Sequence, residues 1–448
     1  MLGKQPNQDQ LDLFKANLKQ IIDPNHPLVS LAHAIPWKTL EDKFEHLYSH
    51  TGTPSHHLRK MVGITLLQRI YNLSDERVVA LWMEALYFQY FCGEASFQWQ
   101  QPCAASDLVH FRKRLGKQGI QALFALSVQM HGSKLAKAKE VLVDTTVQEK
   151  NITFPTDAKL YKKVIEHCNT LAQRAGVELR QSYRYVVQKL FYLQRYMHLP
   201  RHVKKARKAL KRLKTLAGRQ VRDLQRKLEG VGKLSLYGKE LSLMDRIVKQ
   251  SRKDKEKIYS LSSPEVSCIA KGKVGKKYEF GSKVSVATLP GSNVVVGIEN
   301  FSGNPHDSKT LPIALNGIRE QLGKEFSRVI VDRGYRGHVK VGRSEVILPG
   351  GCRAQSGYAH RQHKLRCRRR SAIEAIIGHL KSDHRLSRNY LKGSLGDSIN
   401  GLLAGIGFNL RLLLREVAFL FSYPMNLRMK TVRDVSENFL LTSTEKSY

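Results

Sequence analysis

The order in which hydrophobic periodicity changes along this chain is the feature that most limits its fold. Residues 141–147 (VLVDTTV) are rich in β-branched side chains, which predicts a short strand. A helical pattern then covers residues 158–263, and alternation with a period of two returns only from Pro264 onward. One sheet is therefore predicted to take strands from both sides of a helical insertion, in an α+β or α/β fold.

The segments after Pro264 predict an antiparallel meander followed by a strand and a helix. Residues 277–289 and 294–300 alternate across a Pro-Gly-Ser-Asn turn, and a polar loop at 304–309 precedes a predicted helix. Residues 328–332 then form a buried strand that ends at Asp332. Together with the Asp144 strand and the later helix around Glu374, this order matches a ribonuclease-H-like sheet.

The N-terminal part, from Leu40 to Leu126, has helical periodicity throughout. Ser106 is a predicted N-cap for a basic helix over Asp107–Leu115, which carries His110, Arg112, Lys113 and Arg114. Two interpretations are equally open. The segment is either a helix-turn-helix-like DNA-binding domain or a plain helical bundle with a solvated basic face.

The net charge of the chain limits the kinds of partner that it can be expected to bind. The 448 residues carry 75 Lys and Arg against 38 Asp and Glu, a formal charge of +37. Such an excess indicates a polyanionic partner, and nucleic acid is favoured over a membrane surface. The start of the chain lacks the apolar segment of a signal peptide, and Arg411, Arg415 and Glu416 interrupt the apolar run 402–421. The six scattered cysteines lack zinc-ligand spacing and predict reduced cytosolic thiols.

The segment from Arg201 to Gln220 is the most basic part of the insertion. It contains nine Lys or Arg and no acid, beside an apolar stripe that predicts one buried face. Unopposed cations repel one another unless an anion is near, so we favour contact with nucleic acid over a merely solvated face. The predicted DNA contacts are Lys204, Lys205, Arg207, Lys208, Lys211 and Arg212.

Three acidic residues stand out by their settings: Asp144 within a strand, Asp332 at a strand end, and Glu374 on an amphipathic helix over Arg370–Lys381. Helical spacing puts Arg370, Glu374 and Lys381 on one face. Clustered carboxylates repel one another unless a divalent cation neutralises them, and two magnesium ions can drive phosphoryl transfer. The alternatives are that Asp144 caps a turn on an edge strand and that Glu374 closes ion pairs.

These features predict four regions. They are a helical N-terminal DNA-binding domain, a ribonuclease-H-like core in two segments, a basic helical insertion and a polar tail. Their bounds are 1–130, 131–157 with 264–421, 158–263 and 422–448.

Four pieces of the sequence resemble a known family. They are DTTVQEKNITFPTDAKL from Asp144, PEVSCIAKGK from Pro264, VDRGYRG from Val331 and RRRSAIEAIIGHLKSDHRL from Arg368. The chain resembles InsH-like DDE transposases of the IS-five group of bacterial insertion sequences. The signature around the third acid of that family has Tyr, Arg, Glu and Lys at fixed spacing. Here Arg370, Glu374 and Lys381 match, whereas Cys367 replaces the Tyr.

The resemblance implies that Asp144, Asp332 and Glu374 hold two Mg²⁺ ions, with Mn²⁺ as a substitute. Arg370 and Lys381, with Arg368 and Arg369 beside them, would bind phosphates of double-stranded DNA. The reaction would be hydrolysis at the ends of the element, followed by attack of the freed 3′ hydroxyl on target DNA.

The family also implies a cytoplasmic, nucleoid-associated protein, and holding two ends predicts a homodimer or larger assembly. His306 and Asp307 are candidate DNA contacts, although a hydrogen-bonded turn aspartate is the favoured interpretation. Two other functions stay open: a magnesium-dependent nuclease or resolvase of the same fold, and a non-catalytic DNA-binding protein from a decayed element.

Overall fold

The computed structural model describes residues 16–49, 51–52, 54–251, 253–270, 276–350 and 356–421. The fold is α+β with one mixed sheet, as the sequence predicts. The helices before the first strand are α1 (Leu18–Ile21), α2 (Pro27–Ala34), α3 (Trp37–Phe44), α4 (Leu58–Ile70), α5 (Asp75–Glu84), α6 (Leu86–Phe91), α7 (Ala105–Gln129) and α8 (Gly132–Lys137).

The remaining helices are α9 (Asp157–Ala175), α10 (Arg184–Gln194), α11 (Val203–Gly230), α12 (Leu234–Lys249), α13 (Asp307–Leu322), α14 (Gly357–Arg369), α15 (Ala372–Asp383) and α16 (Gly393–Phe421). The strands are β1 (Glu140–Lys150), β2 (Ser267–Ala270), β3 (Tyr278–Thr288), β4 (Val295–Phe301), β5 (Arg328–Ile330), β6 (Lys340–Val341), β7 (Ser344–Ile347) and β8 (Arg388–Asn389). Three 3₁₀ turns, at Glu45–Leu47, Pro200–His202 and Arg333–Tyr335, are also described.

The sheet combines the predicted antiparallel meander with parallel strands. Its order is β2-β3-β1-β5-β7-β6, with β4 paired to β3 and β8 paired to β1. Strands β2, β3 and β4 are antiparallel, whereas β1 and β7 run parallel to β5 on either side. Because β1 lies inside the sheet, the interpretation of Asp144 as an edge-strand residue is wrong.

The chain divides into two compact units. The sheet unit comprises residues 1–148, 283–301 and 305–448, and the insertion unit comprises 149–282 with 302–304. Strands β1 and β3 each contribute residues to both units. The predicted four-part division of the chain stays a prediction, and its tail at 422–448 lies outside the described residues.

The insertion unit has a hydrophobic core of its own. The apolar stripe predicted for the basic segment is buried on α11, where Leu213, Ala217, Leu224 and Leu228 have no exposed surface and pack with residues of α9 and α12. The predicted helix over the basic segment is therefore confirmed, and it extends to Gly230. A helix with one apolar face is stabilised mainly by burying that face, which leaves its other sides free for charge.

In the sheet unit, the N-terminal helices and the sheet share one hydrophobic core. Helix α16 packs against α4, α7 and β4, and glycines on α16 permit close approach. A Cβ at Gly405 would lie 2.7 Å from side-chain atoms of Ile298 and Phe124, and one at Gly407 would lie 2.7 Å from the Arg69 carbonyl oxygen. The predicted apolar helix at 396–421 is thus confirmed, beginning at Gly393.

Three local predictions are corrected. Helix α7 begins after Ala104 rather than Ser106, because the Asp107 carboxylate accepts a hydrogen bond from the Ala104 backbone N–H (2.9 Å). Asp107 itself is helical, and the helix passes the predicted end and bends at Gly116, which has a φ of 59°. The predicted loop at 304–309 ends early, since His306 caps α13 and Asp307 is in its first turn.

The third correction concerns the predicted helix over Arg370–Lys381. Two helices meet at this point: α14 ends at Arg369, and α15 begins at Ala372. Arg370 therefore precedes the helix that carries Glu374.

In the part of the chain that the structure describes, no helix is long and apolar enough to cross a membrane.

Candidate active site

Two of the predicted acids belong to neighbouring parallel strands, since Asp144 lies within β1 and Asp332 follows the end of β5 by two residues. β1 and β5 pair in a register that places Val141 beside Val329 and Leu142 beside Ile330. The described pairing ends there, and an extension of the same register by two residues would place Asp144 beside Asp332. Parallel strands are about 4.8 Å apart, so this extension would make the two acids neighbours.

Strand alternation shows which face these acids share with Glu374. Leu142 and Ile330 are fully buried against Ile373 of α15. Side chains two residues apart on a strand point to the same face, so Asp144 and Asp332 extend toward the face that α15 covers. Ile373 is buried at the start of α15, and the next residue, Glu374, has a side chain that is 63% exposed.

Arg370 links two of the acids. One guanidinium nitrogen lies 3.8 Å from Asp144 Oδ2, and the other donates to Glu374 Oε1 at 3.2 Å. The Arg370 side chain is 21% exposed, and that of Asp144 is 18% exposed. The ion pair expected as the alternative role for Glu374 is therefore present, and its cation also faces Asp144.

A fourth carboxylate, Asp307, approaches the same region from the first turn of α13. Its Oδ1 accepts hydrogen bonds from the Thr145 hydroxyl (2.7 Å) and the Lys283 ammonium (2.9 Å). Lys283 also donates to the Pro305 carbonyl oxygen at 2.7 Å, and its side chain is only 10% exposed. The favoured interpretation of a hydrogen-bonded Asp307 agrees with these contacts, whereas its contact with DNA stays a prediction.

Gly334 lies where two of these carboxylates meet. Asp332 caps the short turn Arg333–Tyr335 and accepts a hydrogen bond from the Gly334 backbone N–H at 2.8 Å. A Cβ at Gly334 would lie 3.0 Å from Asp332 Oδ1 and 3.1 Å from Asp307 Oδ2. A side chain here would crowd both oxygens, which gives the VDRGY segment a physical reason for its glycine.

Tyr335 is a core residue whose hydroxyl is affected by the charges of three aspartates. Its side chain is fully buried below the strand ends. Burial raises the pKa of the Tyr335 hydroxyl, and the charges of Asp144, Asp307 and Asp332 raise it further, while the Thr310 hydroxyl lowers it. The charges of all three aspartates therefore act on this one hydroxyl.

The donor set suits a hard divalent cation. Carboxylate oxygens are the ligands that Mg²⁺ prefers, and the acids at the strand ends retain some exposure, so water and phosphate oxygens could complete a coordination shell. Among the described residues, however, no three His, Cys, Asp or Glu side chains are close enough together to hold a metal. The structure places the Arg370 guanidinium between Asp144 and Glu374.

The basic residues predicted near Glu374 are at the junction of α14 and α15. Arg368 and Arg369 are exposed, and Lys381 is half-buried in the last turn of α15. Cys367, which stands where the resembling family has Tyr, is half-buried against the cluster of Leu142 and Ile330. Its thiol contacts the Leu348 carbonyl oxygen (3.9 Å) and His363 Nε2 (3.5 Å).

The six cations predicted to contact DNA on α11, from Lys204 to Arg212, are all exposed. Sequence reasoning missed four arginines that form a second basic group together with Arg212. A cavity of about 470 Å³ is lined by one acid, Asp223, and five arginines. These arginines are Arg180, Arg212, Arg219, Arg222 and Arg226. The sequence did contain a pattern that could have identified this group, because four of the five arginines lie on one side of α11 at helical spacing.

One predicted basic residue of the N-terminal segment faces inward. Arg112 of α7 is 3% exposed, and its guanidinium forms a bidentate ion pair with Asp75 of α5. It is therefore no part of a solvated basic face. His110, Lys113 and Arg114 are exposed, as both interpretations of this segment require.

Comparison with known proteins matches two parts of the chain to family models. Residues 16–114 match the model described as "Transposase domain (DUF772)", and residues 248–404 match "Transposase DDE domain". The second match contains Asp307, Asp332 and Glu374, whereas Asp144 lies before it. An uncharacterized protein, ORF8 in the nfe locus of Rhizobium meliloti, is 39% identical over 203 residues, which cover 44% of this chain and 98% of that protein. No solved structure matches the chain significantly.

Proposed function

Since this chain belongs to the DDE transposases of insertion sequences, which are metal-dependent DNA-cleaving enzymes, we propose that it cuts the ends of its element and joins them to target DNA. The two matched regions and the high positive charge support a DNA substrate. Within the family, we assign the chain to the InsH-like IS-five group, on the spacing of Arg370, Glu374 and Lys381.

We assign catalysis to Asp144, Asp332 and Glu374. The observation that supports this assignment is the pairing of β1 with β5, whose register, extended by two residues, would bring the two aspartates together on the face that α15 covers. We further propose that the sheet has the ribonuclease-H-like arrangement, because an internal β1 lies between an antiparallel meander and a parallel β5.

The three acids would hold two Mg²⁺ ions, with Mn²⁺ as a substitute. Divalent cations at such acids activate the attacking oxygen and stabilise the leaving oxygen. Arg370 holds the positive charge between Asp144 and Glu374 and is available to bind a phosphate of the substrate. Asp307, fixed by Thr145 and Lys283, keeps the strand ends in position beside Asp332.

The proposed DNA contacts divide between the two units. Arg368, Arg369, Arg370 and Lys381 would bind phosphates next to the acids, and the exposed cations of α11 would bind the DNA backbone elsewhere. Joining requires two ends to be held together, so we expect a homodimer or larger assembly on DNA. Sedimentation that shows only monomers on end DNA would contradict this part of the proposal.

The test is cleavage and strand transfer on labelled DNA that carries the flanking ends of the element, with Mg²⁺. Asp144→Asn, Asp332→Asn and Glu374→Gln remove one charge each at nearly constant volume. Loss of both products in all three variants, but not in Glu320→Gln on the exposed side of α13, would support the assignment. The three variants should still bind the end DNA.

Two other outcomes would identify the alternative functions. Cutting without joining would show a magnesium-dependent nuclease or resolvase. DNA binding that is independent of the acids, with no cleavage by the unmodified protein, would show a non-catalytic DNA-binding protein from a decayed element.

A further inference from the structure

A cavity of about 430 Å³ lies among the N-terminal helices and the segment that follows α15. It is within the sheet unit, and none of the acids assigned to catalysis lines it. Its charged lining consists of Arg69, Arg112 and Arg385 with Asp75 and Glu76. Three guanidinium groups therefore face two carboxylates.

The two acids leave this positive charge largely uncompensated. The Asp75 carboxylate is already engaged, since it accepts both guanidinium hydrogen bonds of Arg112 and one from the Gln68 amide. Glu76 is exposed at the opening, where water weakens its effect. Arg69 and Arg385 therefore lack a carboxylate of their own among the lining residues.

Arg69 is the most buried of the three arginines, with 2% of its surface exposed. One terminal nitrogen donates to the Asn400 side-chain oxygen at 2.9 Å. In the described part of the chain, the Arg69 Nε has no hydrogen-bond partner, and the same holds for Arg112 Nε and the Gln68 side-chain oxygen. Buried donors without partners are costly, so an acceptor held beside the two Nε–H groups would stabilise them, whereas the Gln68 oxygen is itself an acceptor.

The backbone around Arg69 keeps this side chain in place. Its carbonyl oxygen accepts a hydrogen bond from His384 Nδ1 at 2.9 Å, and Gly407 of α16 packs directly against it. Burial, together with the charges of Arg112 and Arg385, lowers the pKa of Arg69 to about 9, and the Asp75 charge opposes this shift. Arg69 still carries its charge at neutral pH, and a nearby anion would relieve the repulsion.

We propose that this cavity binds a phosphate group. Arginine forks match the tetrahedral oxygens of phosphate with paired hydrogen bonds, and Arg69 and Arg385 line the cavity, whereas the fork of Arg112 is engaged by Asp75. The opening adds an exposed aromatic ring, Tyr390, over which the Arg385 guanidinium lies at 5.4 Å. The site is separate from the predicted phosphate contacts of Arg370 and Lys381.

The phosphate could belong to the DNA backbone or to a free phosphate compound, and two measurements distinguish them. Both use the full chain with the metal chelated, so neither depends on cleavage or joining. The variant is Arg385→Gln, because Arg385 is half-buried at the opening and its loss should not disrupt the core. The matched control is Arg77→Gln, an exposed arginine of α5 outside the lining.

The first measurement is thermal unfolding in rising inorganic phosphate, with chloride at equal ionic strength as the reference. We expect phosphate to raise the Tm of the unmodified protein and of Arg77→Gln, because a ligand that binds the folded state stabilises it. Arg385→Gln should lose most of this increase. Arg69→Lys, which keeps the charge but removes the Nε donor, should lose part of it.

The second measurement is the salt dependence of binding to a short DNA duplex. If the ligand is a backbone phosphate, Arg385→Gln should reduce the slope of log K against log salt by about one, and Arg77→Gln should not. A Tm effect without a change in slope would assign the cavity to free phosphate compounds. The proposal fails if Arg385→Gln matches the unmodified protein, or Arg77→Gln, in both measurements.

Discussion

The acid site of the sheet unit and the basic surface of the insertion unit are built in different ways. In the acid site, Asp144 of β1 and Glu374 of α15 share Arg370, and Asp307 of α13 is paired with Lys283. On α11, the cations from Lys204 to Arg212 are exposed along one helix, with no acid in that stretch. Charges are paired in the first region, whereas those of the second are exposed and have no acid within their own stretch of sequence.

Because of this difference, we expect the acid site to determine the chemistry and the α11 surface to determine the DNA affinity. The acids come from elements far apart in the sequence, so their positions depend on how the sheet and α15 pack. The α11 cations need only one helix with one buried face. We therefore expect changes at the acids to alter chemistry without altering DNA affinity, and changes on α11 to alter affinity in small, nearly additive steps.

The largest expected effect is on the stability of the two hydrophobic cores. It tests whether the sheet unit and the insertion unit lose structure independently of each other. Leu213→Ala on α11 and Leu403→Ala on α16 each remove a fully buried side chain, which costs about 2–5 kcal/mol. Hydrogen exchange should show loss of protection in the insertion unit for the first variant and in the sheet unit for the second. Equal losses in both units from either variant would contradict independence. Leu236→Ala, at a side chain that is 75% exposed, is the matched control.

Acidification should destabilise the sheet unit more than the insertion unit. Burial lowers the pKa of His131 and His384 in the sheet unit to about 4, from an ordinary value of 6.5. Between these values the unfolded chain binds more protons than the folded one. The stability of the sheet unit therefore falls as the pH falls, by up to about 1.4 kcal/mol per pH unit for each histidine.

The comparison uses hydrogen exchange at pH 7 and pH 5. The sheet unit should lose more protection than the insertion unit, after correction for the intrinsic exchange rate. His384→Asn should reduce this difference, whereas His379→Asn, at a 53% exposed side chain, should not. An equal loss of protection in the two units would show that the buried histidines do not control acid stability.

Charge removal on α11 should have a smaller, graded effect. Lys208→Gln, Lys211→Gln and Arg212→Gln in one protein should reduce the salt slope of DNA binding by about three. Cleavage at saturating DNA should be unchanged, because these residues belong to the insertion unit and not to the acid site. Lys249→Gln on α12, where Asp245 already pairs with the ammonium, is the control. A slope equal to that of the control would remove α11 from the proposed DNA surface.

The sequence predicts the helical surface of α11 better than it predicts the arrangement of the acid site. The α11 helix and its buried face could be predicted because helical periodicity is a local property of one segment. The strand around Asp144 was also predictable from its β-branched residues, and the meander from alternation. Whether Asp144 occupied an edge or an inner strand was not, because strand order depends on contacts between distant segments.

Asp307 shows what local patterns leave out. Its setting depends on Thr145 and Lys283, which are 162 and 24 residues away in the sequence. A lysine in an otherwise apolar strand was a usable signal, since a buried ammonium needs a partner. Likewise, Arg112 looked like one cation of a basic helix, and only the packing of α5 against α7 reveals Asp75 as its partner.

The smallest expected effect is at Tyr335, where stability and chemistry should separate. Its buried hydroxyl makes no hydrogen bond of good geometry with any described residue, yet it lies near Asp144, Asp307 and Asp332. Tyr335→Phe removes one unpaired polar atom, so thermal unfolding should change by less than about 1 kcal/mol, in either direction. If the hydroxyl helps to position the aspartates, cleavage should fall several-fold while DNA affinity is constant. Cleavage equal to that of the unmodified protein would restrict Tyr335 to packing, and Tyr71→Phe, at a 42% exposed ring outside the site, is the control.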